Sequence, residues 1–137
     1  MAEYLVGKTI NKMMIADDKK AILFICEDGE HIARVDGDCC SDSWVESIES
    51  PALGFPCEVI ACEELNLNKE CEENGCMVIA FYGFKITTRK GDIVIDYRNE
   101  SNGYYGGDLC WPDDSYFYGG VYGQNVSSQN WVEIDFL

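Results

Sequence analysis

The strongest constraint on the fold is the regular alternation of apolar side chains between residues 76 and 88. From residue 78 to residue 86, every second residue of the chain is apolar, and these residues share one face: Val78, Ala80, Tyr82, Phe84 and Ile86. A period of two is the period of a β-strand. The opposite face also begins with apolar residues, which is typical of a central strand that is buried on both sides over its first half. The pattern predicts a sheet built around this strand.

Six further segments show short apolar runs or alternation between turn residues. They are 8–16, 21–27, a run from 24 to 35 that breaks at Asp28-Gly29, 57–65, 92–98 and 131–137. Asp28-Gly29 and Lys90-Gly91 favour tight hairpin turns, because glycine and aspartate tolerate positive φ. Such closely spaced strands are expected to pair in an antiparallel sheet.

One short helix is predicted from Ser43 to about Ser50. Ser43-Trp44-Val45-Glu46 has the S-x-x-E pattern of a capping box, and Trp44 and Ile48 would share a helical face four residues apart. Pro51 would end the helix. The expected fold class is therefore α+β, with a mainly antiparallel sheet of about seven strands, one short α-helix and two layers in a single domain, 1–137.

Charge narrows the class of partner. The 137 residues include 25 Asp and Glu against 10 Lys and Arg, a formal net charge of −15. A protein that binds nucleic acid directly needs a basic surface to neutralise phosphates, and anionic membranes repel the same charge. Disorder is disfavoured because 47% of the residues are hydrophobic. Either solubility or a positively charged partner would account for a charge of this size.

The eight cysteines are expected to be reduced thiols. The N-terminus lacks the pattern of a secretion signal, which favours a cytosolic setting without disulfides. Cys57, Cys62, Cys71 and Cys76 are one candidate set for zinc, but they lack short CxxC spacing, and small buried hydrophobes are the alternative. The expectation is a chain without a bound metal or cofactor.

The segment from Val35 to Trp44 is the first candidate binding site. A strand runs through a glycine turn into the expected helix, whose free amides would bind an anionic group such as phosphate or lower the pKa of Cys39 or Cys40. The candidate binding residues here are Asp36, Asp38, Ser41, Ser43 and Trp44. The alternative is that these acids and serines cap the helix while the cysteines pack beneath it.

The second candidate site is an aromatic, glycine-rich segment expected as a loop excursion from about 99 to 129. Tyr104, Tyr105, Trp111 and Tyr118 offer rings that would stack on a nucleotide base or dock a protein. The alternative is that many of these rings complete the core. The rings, together with the alternating C-terminal strand, also allow a homodimer.

An enzyme is disfavoured by the absence of known catalytic motifs. The sequence contains no P-loop, dinucleotide fingerprint, HExxH or GxSxG motif, and His31 is its one histidine. His31 also lies a full strand before Cys39 and Cys40, which argues against a Cys–His nucleophile pair. We therefore expect a binding protein rather than a catalyst.

Two segments carry a family resemblance. Leu5-Val6-Gly7-Lys8-Thr9-Ile10 and the later run VDGDCCSxSWxExI, which begins at Val35, resemble an uncharacterised group of small proteins of bacteriophages and prophages. The resemblance covers about the first two thirds of the chain. It implies a phage origin and the cytoplasm of an infected bacterial host, and it transfers no catalytic residue.

Two functional hypotheses follow. In the first, the protein is a phage-encoded inhibitor of bacterial defence that imitates nucleic acid and binds a basic host protein, a nuclease or a CRISPR effector, as an anti-CRISPR protein does. In the second, it sequesters a nucleotide second messenger by ring stacking and phosphate binding. A small zinc- or thiol-dependent protein is a further alternative.

Overall fold

The computed structural model describes residues 2–37, 42–65, 72–74, 77–101, 107–114 and 130–134. Ten β-strands lie within these ranges. They are β1 (Thr9–Ala16), β2 (Ala21–Cys26), β3 (Gly29–Gly37), β4 (Asp42–Glu49), β5 (Cys57–Leu65), β6 (Glu72–Asn74), β7 (Met77–Thr88), β8 (Gly91–Ser101), β9 (Gly107–Cys110) and β10 (Trp131–Glu133). In the same ranges we find no helix of the length and apolar character that a membrane span requires.

The strands form one open antiparallel sheet. Its order is β4-β8-β7-β5-β1-β2-β3-β9, with β10 also paired to β1 and β6 to β7. β5 pairs with the start of β1 at Thr9 and Ile10, whereas β10 pairs with its end, from Met14 to Ala16. The expected antiparallel sheet is confirmed. The count of about seven strands is wrong, because β4, β6 and β9 add to the seven segments predicted.

The predicted helix is also wrong: residues 42–49 form β4, paired along β8. The register shifts between Val45 and Ser47, so Glu46 is an extra residue in a β-bulge. The bulge stretches the spacing of buried residues from two to three, and Ser43, Val45 and Ile48 face the core. The helix was predicted from the capping-box pattern and from a face shared by Trp44 and Ile48, but in β4 Trp44 is partly exposed and Ile48 lies in the core. In the described residues the fold is all-β rather than α+β.

Two predicted hairpins are present, each with its loop one residue earlier than expected. The two-residue loops are Glu27-Asp28 between β2 and β3 and Arg89-Lys90 between β7 and β8. Gly29 and Gly91 are the first residues of the returning strands, with φ of 132° and 118°. These backbone angles lie in a region that glycine occupies without a Cβ clash, which accounts for glycine at both positions.

The core lies between the two halves of the curled sheet. The Trp111 ring, which follows β9, packs 5.5 Å from Phe24 of β2 and 5.4 Å from Phe84 of β7, measured between ring centres. Since β2 and β7 belong to different halves of the sheet order, one half covers the other. The second layer expected from the sequence is therefore sheet, and not helix.

Backbone contacts bring the edge strand β4 to the turn between β1 and β2. The Val45 amide donates to the Lys19 carbonyl oxygen at 2.9 Å. The Lys20 ammonium group donates to the Asp42 carboxylate and to the Ser43 carbonyl oxygen. These contacts protect part of an edge that would otherwise offer unpaired backbone groups.

The segment from 99 to 129, expected as a loop excursion, contributes to the sheet. It supplies the end of β8 and all of β9, whose Leu109 pairs with Val35 of β3. Residues 102–106 and 115–129 lie outside the described residues.

Candidate functional site

The first candidate site is the outer face, defined as the side of β4, β5, β7 and β8 that points away from the core. At its centre Trp44, Arg98 and Phe81 are direct cross-strand neighbours on β4, β8 and β7. The Arg98 guanidinium carbon lies 4.4 Å from the centre of the Phe81 ring. We name these three residues the arginine–aromatic row. Their side chains are partly exposed, so the row is a stacked and preorganised part of the surface.

Glu46 contacts two residues of this row, Trp44 and Arg98. Its carboxylate oxygen Oε1 accepts a hydrogen bond from Trp44 Nε1 at 3.1 Å and lies 3.5 Å from Arg98 Nη1. On the other side, Arg98 Nη2 lies 3.7 Å from an Asp96 carboxylate oxygen. The bulge at Glu46 thus places a carboxylate over the row, between the indole and the guanidinium group.

The outer face carries an excess of negative charge. Six of its carboxylates are Glu46, Glu49, Glu63, Asp92, Asp96 and Glu100, and its cations on the same strands are Lys85 and Arg98. Both cations are already engaged by carboxylates of the face, since Lys85 Nζ lies 2.8 Å from Glu63 Oε1. The hydrogen bond that Lys85 donates to Glu63 raises the pKa of Lys85. Among these eight groups the negative charges exceed the positive ones by four.

The sheet fixes the spacing of these charges. Alternate residues along a strand are about 7 Å apart, and neighbouring strands about 4.8 Å. Asp92, Asp96 and Glu100 are four residues apart on β8, so their backbone positions repeat at about 13 Å. A rigid pattern of this kind complements a fixed basic surface, because little side-chain or loop ordering is needed on binding.

The second candidate site is the hairpin cluster, formed by Tyr4, Lys8, Cys26, Asp28 and His31. Tyr4 Oη lies 2.8 Å from His31 Nδ1, and His31 Nε2 lies 2.8 Å from Asp28 Oδ1. Lys8 Nζ donates to the other carboxylate oxygen, Asp28 Oδ2, at 2.9 Å. One donor atom each from Cys26, Asp28 and His31 lies within 4.8 Å of the other two. The β2–β3 hairpin assembles this set of donor atoms.

The electrostatics of the hairpin cluster follow from these contacts. Hydrogen bonds from Lys8 and then His31 lower the pKa of Asp28 from 3.8 to about 2. Burial raises the pKa of the Cys26 thiol to about 11, and the negative charge of Asp28 adds to the effect. Cys26 is therefore a neutral thiol at neutral pH and a poor nucleophile.

A cleft of about 310 Å³ opens beside the hairpin cluster. Val6, Gly7, Lys8, Thr9, Glu27 and Asp28 line it. The cleft brings solvent to the Asp28 carboxylate, half of whose side chain is exposed.

The site residues predicted from the sequence do not form one site where the structure describes them. Trp44 lies on the outer face, but its neighbour Ser43 faces the core, where Ser43 Oγ accepts from Asn99 Nδ2 at 2.8 Å. Trp111 is 1% exposed and packs in the core, so its ring offers no face for stacking. Asp36 pairs with Asp108 across β3 and β9. Asp38, Ser41, Tyr104, Tyr105 and Tyr118 lie outside the described residues.

The helix start at which the anion site was predicted is absent from the described residues, because residues 42–49 form β4. Cys39 and Cys40 lie outside the described residues. Of the candidate zinc ligands, Cys57 and Cys62 lie on β5, and burial raises the pKa of both thiols. Cys71 and Cys76 lie outside the described residues.

Sequence reasoning missed the hairpin cluster, although one signal for it was present. Once a hairpin is placed at Asp28-Gly29, Cys26 and His31 flank the loop on one face of the two strands, since His31 pairs with Phe24. The contact of His31 with Tyr4 depends on how the N-terminal turn packs, which no local pattern reveals.

A family model described as a domain of unknown function, DUF7448, matches residues 3–111. The match spans β1 to β9 and ends at Trp111, so both candidate sites lie within it. No curated protein and no solved structure matches the chain. The chain belongs to the DUF7448 family.

Proposed function

We propose that this protein is a non-enzymatic binding protein whose outer face docks onto a basic surface of a partner protein. The observation that carries the proposal is the excess of carboxylates around the arginine–aromatic row on one rigid sheet face. Arginine and aromatic residues are enriched where protein interfaces bind most strongly. Carboxylates around such a row steer a basic partner to it.

The chemistry of the hairpin cluster supports a role without catalysis. Both ring nitrogens of His31 are engaged, by Tyr4 and by Asp28. The neighbouring thiol of Cys26 is protonated at neutral pH, because burial raises its pKa to about 11. A general base beside an activated nucleophile is therefore not assembled here.

The partner class follows from charge. A surface with fixed carboxylates is complementary to a groove that binds phosphates, so the expected partner is a nucleic-acid-binding protein, and the expected effect is inhibition by occupying its groove. The resemblance to phage proteins makes a bacterial nuclease or CRISPR effector the partner to test, in the cytoplasm of an infected host. Binding should weaken as salt rises, since exposed charges are screened.

A matched pair of charge variants tests the proposal. The outer-face triple is Glu49→Gln, Asp92→Asn and Glu100→Gln, and the control triple is Glu3→Gln, Glu27→Gln and Glu30→Gln. Both remove three negative charges. The control residues are exposed on the N-terminal turn and the β2–β3 hairpin. A loss that reflects only net charge would be equal in the two variants.

The assay is capture from bacterial lysate followed by affinity measurement with the purified partner. Wild type and the control triple should retain the same basic protein, and the outer-face triple should bind it about tenfold or more weakly at about 50 mM salt. Raising salt to about 200 mM should weaken the wild-type complex. Equal losses in both triples, affinity that does not depend on salt, or no basic protein retained by wild type would contradict the proposal.

A further inference from the structure

We propose that the hairpin cluster binds a divalent transition-metal ion of the zinc class through Cys26 Sγ, an Asp28 carboxylate oxygen and His31 Nε2. These three donor atoms lie within 4.8 Å of one another. Thiolate, carboxylate and imidazole are the donors that zinc takes in proteins. The inference is independent of the outer face and of the proposed partner.

The hairpin geometry brings the three ligands together locally. Cys26 is the last residue of β2 and pairs with Gly29, Asp28 lies in the two-residue loop, and His31 follows on β3. Ligands on one tight hairpin need little chain ordering to converge, because the two strands already fix two of them. The ligand positions are thus set by backbone pairing rather than by a long loop.

The distances suit a small tetrahedral ion. Zinc bonds of about 2.0–2.3 Å place neighbouring ligand atoms about 3.2–3.6 Å apart. His31 Nε2 and Asp28 Oδ1 are 2.8 Å apart, so these two atoms would separate by a few tenths of an ångström. The thiol sulfur would move toward them. Three protein ligands leave a fourth position for a water molecule or another ligand.

The contacts behind the ligands fit the outer shell of a metal site. With His31 Nε2 on the metal, Nδ1 carries the proton and donates to Tyr4 Oη, which lies 2.8 Å away. Such a partner fixes the ring orientation and tautomer of a metal-binding histidine. Lys8 holds Asp28 Oδ2 at 2.9 Å, which leaves Oδ1 to face the metal.

Two charges set the conditions for binding. The Cys26 thiol must lose its proton to ligate the metal, so metal binding should release a proton. The Lys8 ammonium group repels a cation, although its side chain is partly exposed and can move.

Cobalt(II) is the probe, because a thiolate ligand gives a near-ultraviolet charge-transfer band and tetrahedral geometry gives intense visible absorption. Wild type should bind cobalt with both signals, and zinc should displace it. Cys26→Ser should abolish the thiolate band, and His31→Gln should weaken binding about tenfold or more. Cys62→Ser is the matched control, since Cys62 is a partly buried thiol of β5 outside the cluster, and it should leave the spectrum unchanged.

Other results would overturn the proposed metal site. A wild-type protein without a thiolate band, or a band that persists in Cys26→Ser, would overturn the site. If Cys26→Ser fails to fold, the thermal midpoint decides: zinc should raise Tm of wild type and of Cys62→Ser, but not of His31→Gln. An equal rise in His31→Gln would also overturn it.

Discussion

The centre of the Trp111 ring lies 5.4 Å from the centre of the Phe84 ring, although the two residues come from opposite halves of the sheet. Trp111 follows the edge strand β9, and Phe84 lies near the middle of β7. Both side chains are almost fully buried. This contact shows how a single open sheet forms a core: its two halves curl over one indole ring.

The first prediction concerns that ring. Trp111→Ala should lower the free energy of unfolding by about 3–5 kcal/mol, because it removes a large buried side chain and leaves a cavity. Trp44→Ala removes the same side chain from the outer face and should cost about 1 kcal/mol or less. Chemical denaturation followed by circular dichroism measures both. Equal losses in the two variants would show that the sheet does not close over Trp111.

The second prediction compares the two hairpin glycines. Gly29→Ala should cost about 1–2 kcal/mol, because alanine is strained at positive φ. Gly91→Ala should cost about 1–3 kcal/mol more, because its Cβ would lie 2.7 Å from the Ala52 backbone nitrogen. A Cβ at Gly29 meets nothing within 4 Å, so the difference isolates the clash. Equal unfolding free energies for the two variants would contradict the packing of residue 52 against the β7–β8 hairpin.

The third prediction concerns acid stability. Hydrogen bonds from Lys8 and His31 lower the pKa of Asp28 from 3.8 to about 2 in the folded state. The ionised carboxylate therefore stabilises the fold above the unfolded pKa, and this stabilisation is lost as pH falls through about 2. The unfolding free energy of Asp28→Asn should fall below that of wild type at neutral pH, and the two should converge toward the acid end.

Unfolding titrations between neutral pH and about pH 2 measure this convergence. Lys8→Met removes the largest cause of the shift and should reduce the same pH dependence in part. A difference between wild type and Asp28→Asn that stays constant with pH would contradict the ion-pair network.

Strands with plain alternation or turn boundaries were predictable from the sequence. β5 has the predicted bounds, Cys57–Leu65, and β7 agrees to within one residue. The glycines at 29 and 91 also marked two real hairpins, because a positive φ is a local property that sequence reports directly.

Features that depend on tertiary contact were not predictable in this way. Trp44 and Ile48 were predicted to share a helical face, but the bulge at Glu46 places them on opposite faces of β4, and only the pairing with β8 reveals this bulge. Ser43 and Trp44 were placed in one site, but in a strand adjacent residues point to opposite faces. The sequence left Trp111 open between a binding surface and the core, and the tertiary structure places it in the core.

The candidate sites, like the fold, were predictable from the sequence only in part. The excess of acids was visible in the net charge of −15. Its gathering around the arginine–aromatic row was not, because Trp44, Phe81 and Arg98 meet only through the order β4-β8-β7. In the hairpin cluster the local part, Cys26 to His31, was within reach of sequence reasoning. Its contact between Tyr4 and His31, 27 residues apart, was not.

The most direct test of the central claim is a titration with a peptide of about ten lysines, followed residue by residue in amide NMR spectra at about 50 mM salt. Shift changes should concentrate on β4, β7 and β8 and on the Trp44 indole N–H, and should fade at about 200 mM salt. The outer-face triple should lose them, whereas the control triple should keep them. Changes centred on the β2–β3 hairpin, or spread evenly over all exposed acids, would contradict the outer face as the docking surface.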